Sequence, residues 1–91
     1  MKRIHIIVTG IVQGVGFRHY AGREAEKLHL TGSVRNKADG SVEIEAQGTV
    51  EALESFLTWV KHGPRNAVVE SFKKNEMTVA NEENNFEIKT N

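Results

Sequence analysis

Along this chain the spacing of apolar residues switches twice from a period of two to one of about 3.6 and back, which leaves few folds open. Residues 3–9 alternate, with Ile4, Ile6 and Val8 on one side and His5, Ile7 and Thr9 on the other, as in a half-buried strand. From Phe17 to Leu30, the residues Phe17, Ala21, Ala25 and Leu28 fall at helical spacing, with Arg23, Glu24, Glu26 and Lys27 between them. Residues 32–47 hold two alternating runs joined at Asp39-Gly40, a dipeptide suited to a tight hairpin. A second helix follows: Thr49 can cap it, Val50, Leu53, Phe56, Leu57 and Val60 form its stripe, and Gly63-Pro64 stops it. Strand patterning returns at 66–73 with Val68, Val69 and Phe72. After a polar connection from Lys74 to Asn85 it returns briefly at Phe86 and Ile88.

The order strand, helix, strand, strand, helix, strand, plus a short C-terminal strand, predicts an α+β fold. It is a ferredoxin-like split βαβ sandwich with both helices on one face of a mainly antiparallel sheet. Val42, Ile44 and Ala46 oppose Glu43, Glu45 and Gln47, so the other face should be wet and the two glutamates solubilising charge. With 91 residues, short breaks and no repeat, residues 1–91 are expected to form a single domain. Trp59, beside the second helix's stripe, reads as packing.

Composition narrows the function. Twelve basic and twelve acidic residues cancel, leaving no net field to draw a polyanion. An RNA-binding domain of this topology would need aromatics where Glu43, Glu45 and Gln47 stand, so no nucleic-acid partner is expected. No cysteine means no disulfide, thiolate metal ligand or thiol nucleophile. The apolar start is too short for a signal peptide or a membrane span. A cytoplasmic protein without membrane partner, and a monomer for want of a large unassigned apolar stripe, is the expectation. Histidines 5, 19, 29 and 62 are scattered and form no HExxH pair, so no metal site is expected.

Residues 10–18, Gly-Ile-Val-Gln-Gly-Val-Gly-Phe-Arg, lie between the first strand and first helix patterns. Glycines allow backbone N–H groups to converge on an anion, and the unpaired N–H groups of the next helix add roughly half a positive charge. Arg18 in the first turn opposes the helix dipole at about 0.3–1 kcal/mol, a placement better explained if an anion binds beside it. A guanidinium also matches a phosphate edge. A plain strand-to-helix turn with a solvated arginine would show the same glycines, so the loop alone does not decide.

Asn36 sits on the Val34 side of its strand, toward the dry face, and right-handed crossovers bring that strand's end beside the loop. It reads either as a turn-flanking residue or as an amide that holds a water molecule, accepting through oxygen and donating through nitrogen.

The stretches Gly10 to Arg18 and Gly32-Ser33-Val34-Arg35-Asn36-Lys37-Ala38-Asp39-Gly40-Ser41-Val42-Glu43 closely resemble the two signature segments of the acylphosphatases. The resemblance extends to Ala46-Gln47-Gly48, Gly63-Pro64-Arg65-Asn66-Ala67-Val68 and Phe86-Glu87-Ile88, nearly the whole chain. It implies hydrolysis of acyl phosphates to a carboxylate and inorganic phosphate with no metal or cofactor. Arg18 and the backbone of Gln13, Gly14, Val15, Gly16 and Phe17 would hold the phosphoryl group, and Asn36 would position the attacking water. Inorganic phosphate or sulfate should bind as a product-like ligand. Two features depart from the usual pattern: glycine at position 16, and the tail Lys89-Thr90-Asn91, which lacks an aromatic or basic ending. A non-catalytic phosphate-binding regulatory module is the alternative, and the enzyme is preferred to it because Arg18 and Asn36 are both present. The same domain also stands at the front of larger proteins of the family that handle carbamoyl phosphate, and a free-standing enzyme is expected here because no cysteine-rich extension follows. No stretch marks a pocket for one acyl group, so broad acceptance is expected.

Overall fold

The computed structural model describes residues 1–90. Its elements are β1 (Lys2–Ile11), α1 (Phe17–Lys27), β2 (Thr31–Asn36), β3 (Val42–Gly48), α2 (Val50–His62), β4 (Val68–Met77) and β5 (Phe86–Ile88). The strands form one sheet in the order β4-β1-β3-β2-β5, antiparallel except for the β2–β5 pair. This is the split βαβ sandwich that the apolar periods predict. Alternate residues of β1, β2 and β3, including Ile6, Val34 and Ile44, meet Phe17, Ala21 and Ala25 of α1 and Leu53, Phe56 and Val60 of α2 in one core. Thr49 caps α2, its Oγ1 accepting from the Ala52 N–H at 3.1 Å, and Gly63 ends the helix. Trp59 packs as expected, its ring 5.4 Å from that of Phe17. In the β2–β3 hairpin, the Ser41 hydroxyl and amide both donate to Asp39 and hold its carboxyl below the usual range.

Three boundaries differ from the sequence reading, each for a local reason. Helix α1 ends at Lys27 rather than Leu30, because His29 adopts a φ of 58° and Leu30 turns into the core as a strand lead-in. Strand β4 continues through Lys73, Lys74, Asn75 and Glu76 to Met77, all paired with β1. It is an edge strand held by its ladder, so its mostly exposed side chains carry no apolar period. Strand β1 reaches Ile11, so Gly10 belongs to the sheet and not to the anion loop. At the bulge opposite Val69, a Cβ on Gly10 would sit 2.1 Å from the Val68 carbonyl oxygen.

The face away from the helices departs furthest from expectation. Segment 78–85 leaves β4 at one edge and reaches β5 at the other, crossing that face as a strap. Gln47 exchanges hydrogen bonds with the Ala80 backbone at 2.9 and 2.8 Å. Arg3 donates to Glu83 at 2.6 Å and to Glu45 at 2.8 Å. Higher on the same face, Glu43 accepts from Arg35 and lies 2.8 Å from the His5 ring nitrogen. Glu43 and Glu45 are therefore structural ion-pair partners, not free solubilising charge, and His5 is not a scattered surface histidine.

Candidate functional site

Loop 12–16 joins β1 to α1, and its conformation follows from two glycines. Gly14 and Gly16 adopt φ of 74° and 80°, while Val15 between them does not enter the left-handed region. Such alternation turns successive N–H groups toward one side and makes an anion-binding concavity. Among the described residues, the N–H groups of Gln13, Gly14, Val15 and Gly16 donate to no backbone carbonyl. Helix α1 opens from Gly16 with no side-chain cap and no acidic residue in its first turn, whereas α2 has Thr49 and Glu51. The positive end of α1 is thus left uncompensated by the protein.

Side chains complete a pocket around this backbone. Gly14, Gly16, Phe17, Arg18, His19 and Asn36 border a cavity of about 230 Å³, with Ile88 and Thr90 on its β5 side. The period of β2 brings Asn36 to the pocket on the Val34 side, with its Oδ1 buried. Arg18 arrives from the first turn of α1. Its Nη1 donates to the Lys89 carbonyl at 2.9 Å, and the Lys89 N–H donates to the Val34 carbonyl at 2.9 Å. Ile88 seats this tail against α1, in the space where Gly22 has no side chain. No carboxylate among the described residues borders the pocket or pairs with Arg18.

The arrangement suits a tetrahedral oxyanion: converging N–H groups and a helix terminus on one side, a guanidinium on another, and a carboxamide within the same cavity. Asn36 could equally orient a neutral polar molecule, because one amide offers both a donor and an acceptor. Gln13 and Val15 lie in the loop but outside the pocket's lining. The Gln13 side chain donates to the carbonyls of Lys37 and Ser41 at 2.8 and 2.9 Å, pinning the loop to the hairpin that carries Asn36. That anchoring, the Lys89 carbonyl and the nearby His19 were not legible in the sequence. Asn91, the last residue of the tail, lies outside the described residues. Among the described residues, no three His, Cys, Asp or Glu side chains are grouped to hold a metal ion, and no helix is long and apolar enough to cross a membrane.

Comparison with known proteins places this geometry. The family model "Acylphosphatase" matches residues 4–88. An acylphosphatase of Methylococcus capsulatus is 44% identical over 88 residues, covering 97% of this chain and 96% of that protein. One of Salinibacter ruber is 53% identical over 70 residues, covering 77% of this chain and 74% of the relative. The crystal structure of the acylphosphatase of Bacillus subtilis superposes with a TM-score of 0.94 at 41% identity, covering 99% of this chain and 100% of that one.

Proposed function

The chain belongs to the acylphosphatase family, and on that premise we propose that it hydrolyses acyl phosphates to a carboxylate and inorganic phosphate. Arg18 and the N–H groups of Gln13 to Phe17 hold the phosphoryl oxygens. Asn36 holds a water molecule, its Oδ1 accepting a hydrogen bond from the water and leaving a water lone pair aimed at phosphorus. The water oxygen forms a bond to phosphorus while the bond from phosphorus to the acyl oxygen breaks, and the carboxylate departs with the electron pair. A proton of the water passes to a phosphoryl oxygen, so the protein supplies no titrating base.

A carboxylate is a good leaving group, so neither a general acid nor a metal is required, and positioning with charge stabilisation suffices. The observation that carries the reading is the pocket itself, where Arg18, without a carboxylate partner among the described residues, lines one cavity with Asn36, Gly14 and Gly16. All of these residues come from one chain, so a monomer is competent. Purified protein assayed with benzoyl phosphate in EDTA should turn over far above the spontaneous rate. Absence of turnover with inorganic phosphate still bound would assign the pocket to recognition alone.

A further inference from the structure

On the other flank of the phosphate loop lies a second cavity of about 350 Å³, bordered by Val15, Tyr20, Trp59, Pro64, Arg65 and Asn66. The two share the loop, Gly14 bordering the first and Val15 the second. Gly16 lines the first, and a Cβ built on it would lie 3.3 Å from the Tyr20 ring that walls the second. His19 and Tyr20, one in each lining, have ring centroids 5.1 Å apart. We propose that this second cavity is the acyl subsite, fitted to acyl groups with a flat apolar body that ends in a carboxylate. This rests on the acyl phosphate reading of the first pocket.

Three observations support it. First, phosphoryl transfer proceeds with attacking and leaving oxygens roughly in line. Asn36 lines the first cavity and not the second, so a water held by Asn36 directs the acyl oxygen away from Asn36, and the second cavity borders the same loop without Asn36. Second, the walls suit a planar group: Tyr20 is 46% exposed, Trp59 is held against Phe17 and Phe56 and cannot easily collapse inward, and Pro64 is rigid. A ring lying over such surfaces gains stacking contact with little ordering cost. Third, the far wall is charged. Arg65 is exposed and takes part in none of the ion pairs among the described residues, and Asn66 beside it adds an amide donor. A guanidinium in that state meets a carboxylate edge with two parallel bonds. The subsite would add a graded preference to the broad acceptance expected from sequence, and it has no local sequence signal because its residues lie on α1, α2 and the 63–67 connection and meet only in the fold.

The test compares acetyl, benzoyl and 4-carboxybenzoyl phosphate on the wild type, Tyr20→Ala and Arg65→Gln. Arg65→Gln should lower kcat/KM for 4-carboxybenzoyl phosphate about tenfold, the loss expected of one charged hydrogen-bonding partner, and spare the other two substrates. Tyr20→Ala should lower both aromatic substrates and spare acetyl phosphate. Trp59 is the single tryptophan, so its fluorescence reports occupancy without turnover. Titration with 4-carboxybenzylphosphonate should change it in the wild type at concentrations about tenfold lower than in Arg65→Gln. Equal effects of each variant on all three substrates, with unchanged fluorescence titrations, would overturn the subsite while leaving acyl phosphate hydrolysis intact. Failure to hydrolyse any of the three would overturn the hydrolase reading, and the subsite with it.

Discussion

Arg3 and Arg18 flank the same strand-loop-helix unit in opposite electrostatic states. Arg3 is 6% exposed, and its guanidinium is taken up by Glu83, Glu45 and Gln47. Arg18 borders an open pocket, and its hydrogen bond goes to the neutral carbonyl of Lys89. A guanidinium already matched by two carboxylates has no charge left for a ligand, and removing it strands its partners in a partly dry site. One matched only by a carbonyl keeps its charge for an incoming anion. The same side chain thus holds the fold together near one end of β1 and, in the first turn of the helix that follows, keeps its charge without a carboxylate partner among the described residues.

The largest effect should come from Arg18→Ala. Its kcat/KM for an acyl phosphate is expected to fall by about 10³-fold or more, roughly 4 kcal/mol of transition-state stabilisation. Its unfolding free energy in denaturant titrations should change by less than about 1 kcal/mol, since a cation also leaves the positive end of a helix. Saturating inorganic phosphate should raise the melting temperature of the wild type and not of this variant.

Arg3→Ala should show the reverse pattern. We expect a loss of about 3 kcal/mol of stability as the Glu83–Glu45 cluster loses its cation. That corresponds to a fall in melting temperature of roughly 12–24 °C for a domain of this size. Activity per folded molecule should be unchanged. If Arg3→Ala, kept folded at low temperature, loses activity as Arg18→Ala does, the contrast between the two arginines breaks down.

The pH dependence of stability sharpens the contrast with a smaller effect. The Arg3 hydrogen bond holds the Glu83 carboxyl below its ordinary value of 4.5, and His5, then Arg35, do the same for Glu43. A lowered carboxylate pKa contributes stability that is present above pH 4.5 and is lost as pH falls through the folded-state value. Acid titration of the unfolding free energy should therefore slope downward below that pH, and Arg3→Ala should flatten the slope. Arg18→Ala should leave it intact.

The two arginines also differ in how far the sequence revealed them. The loop around Arg18 was legible because its signal is local: glycines, a helix start and a motif within nine residues. Asn36 followed from the period of two in β2. Arg3 gave no such signal, since Glu45 and Glu83 lie 42 and 80 residues away and surface glutamates look alike in sequence. The strap that carries Glu83 reads as polar connection because it binds by ion pairs and backbone contacts, not by an apolar stripe. The Lys89 carbonyl beside Arg18 escaped notice for a different reason: a backbone acceptor has no residue type. The extension of β4 was missed because an edge strand can be fixed by its ladder alone.

The central claim assigns binding to Arg18 and the loop, and water positioning to Asn36. The most direct test pairs the kcat of Asn36→Ala on benzoyl phosphate with its affinity for inorganic phosphate measured by calorimetry. The account predicts that kcat falls by about 10²–10³-fold while phosphate affinity stays within about threefold of wild type. Retained turnover, or loss of phosphate binding by a folded variant, would contradict it.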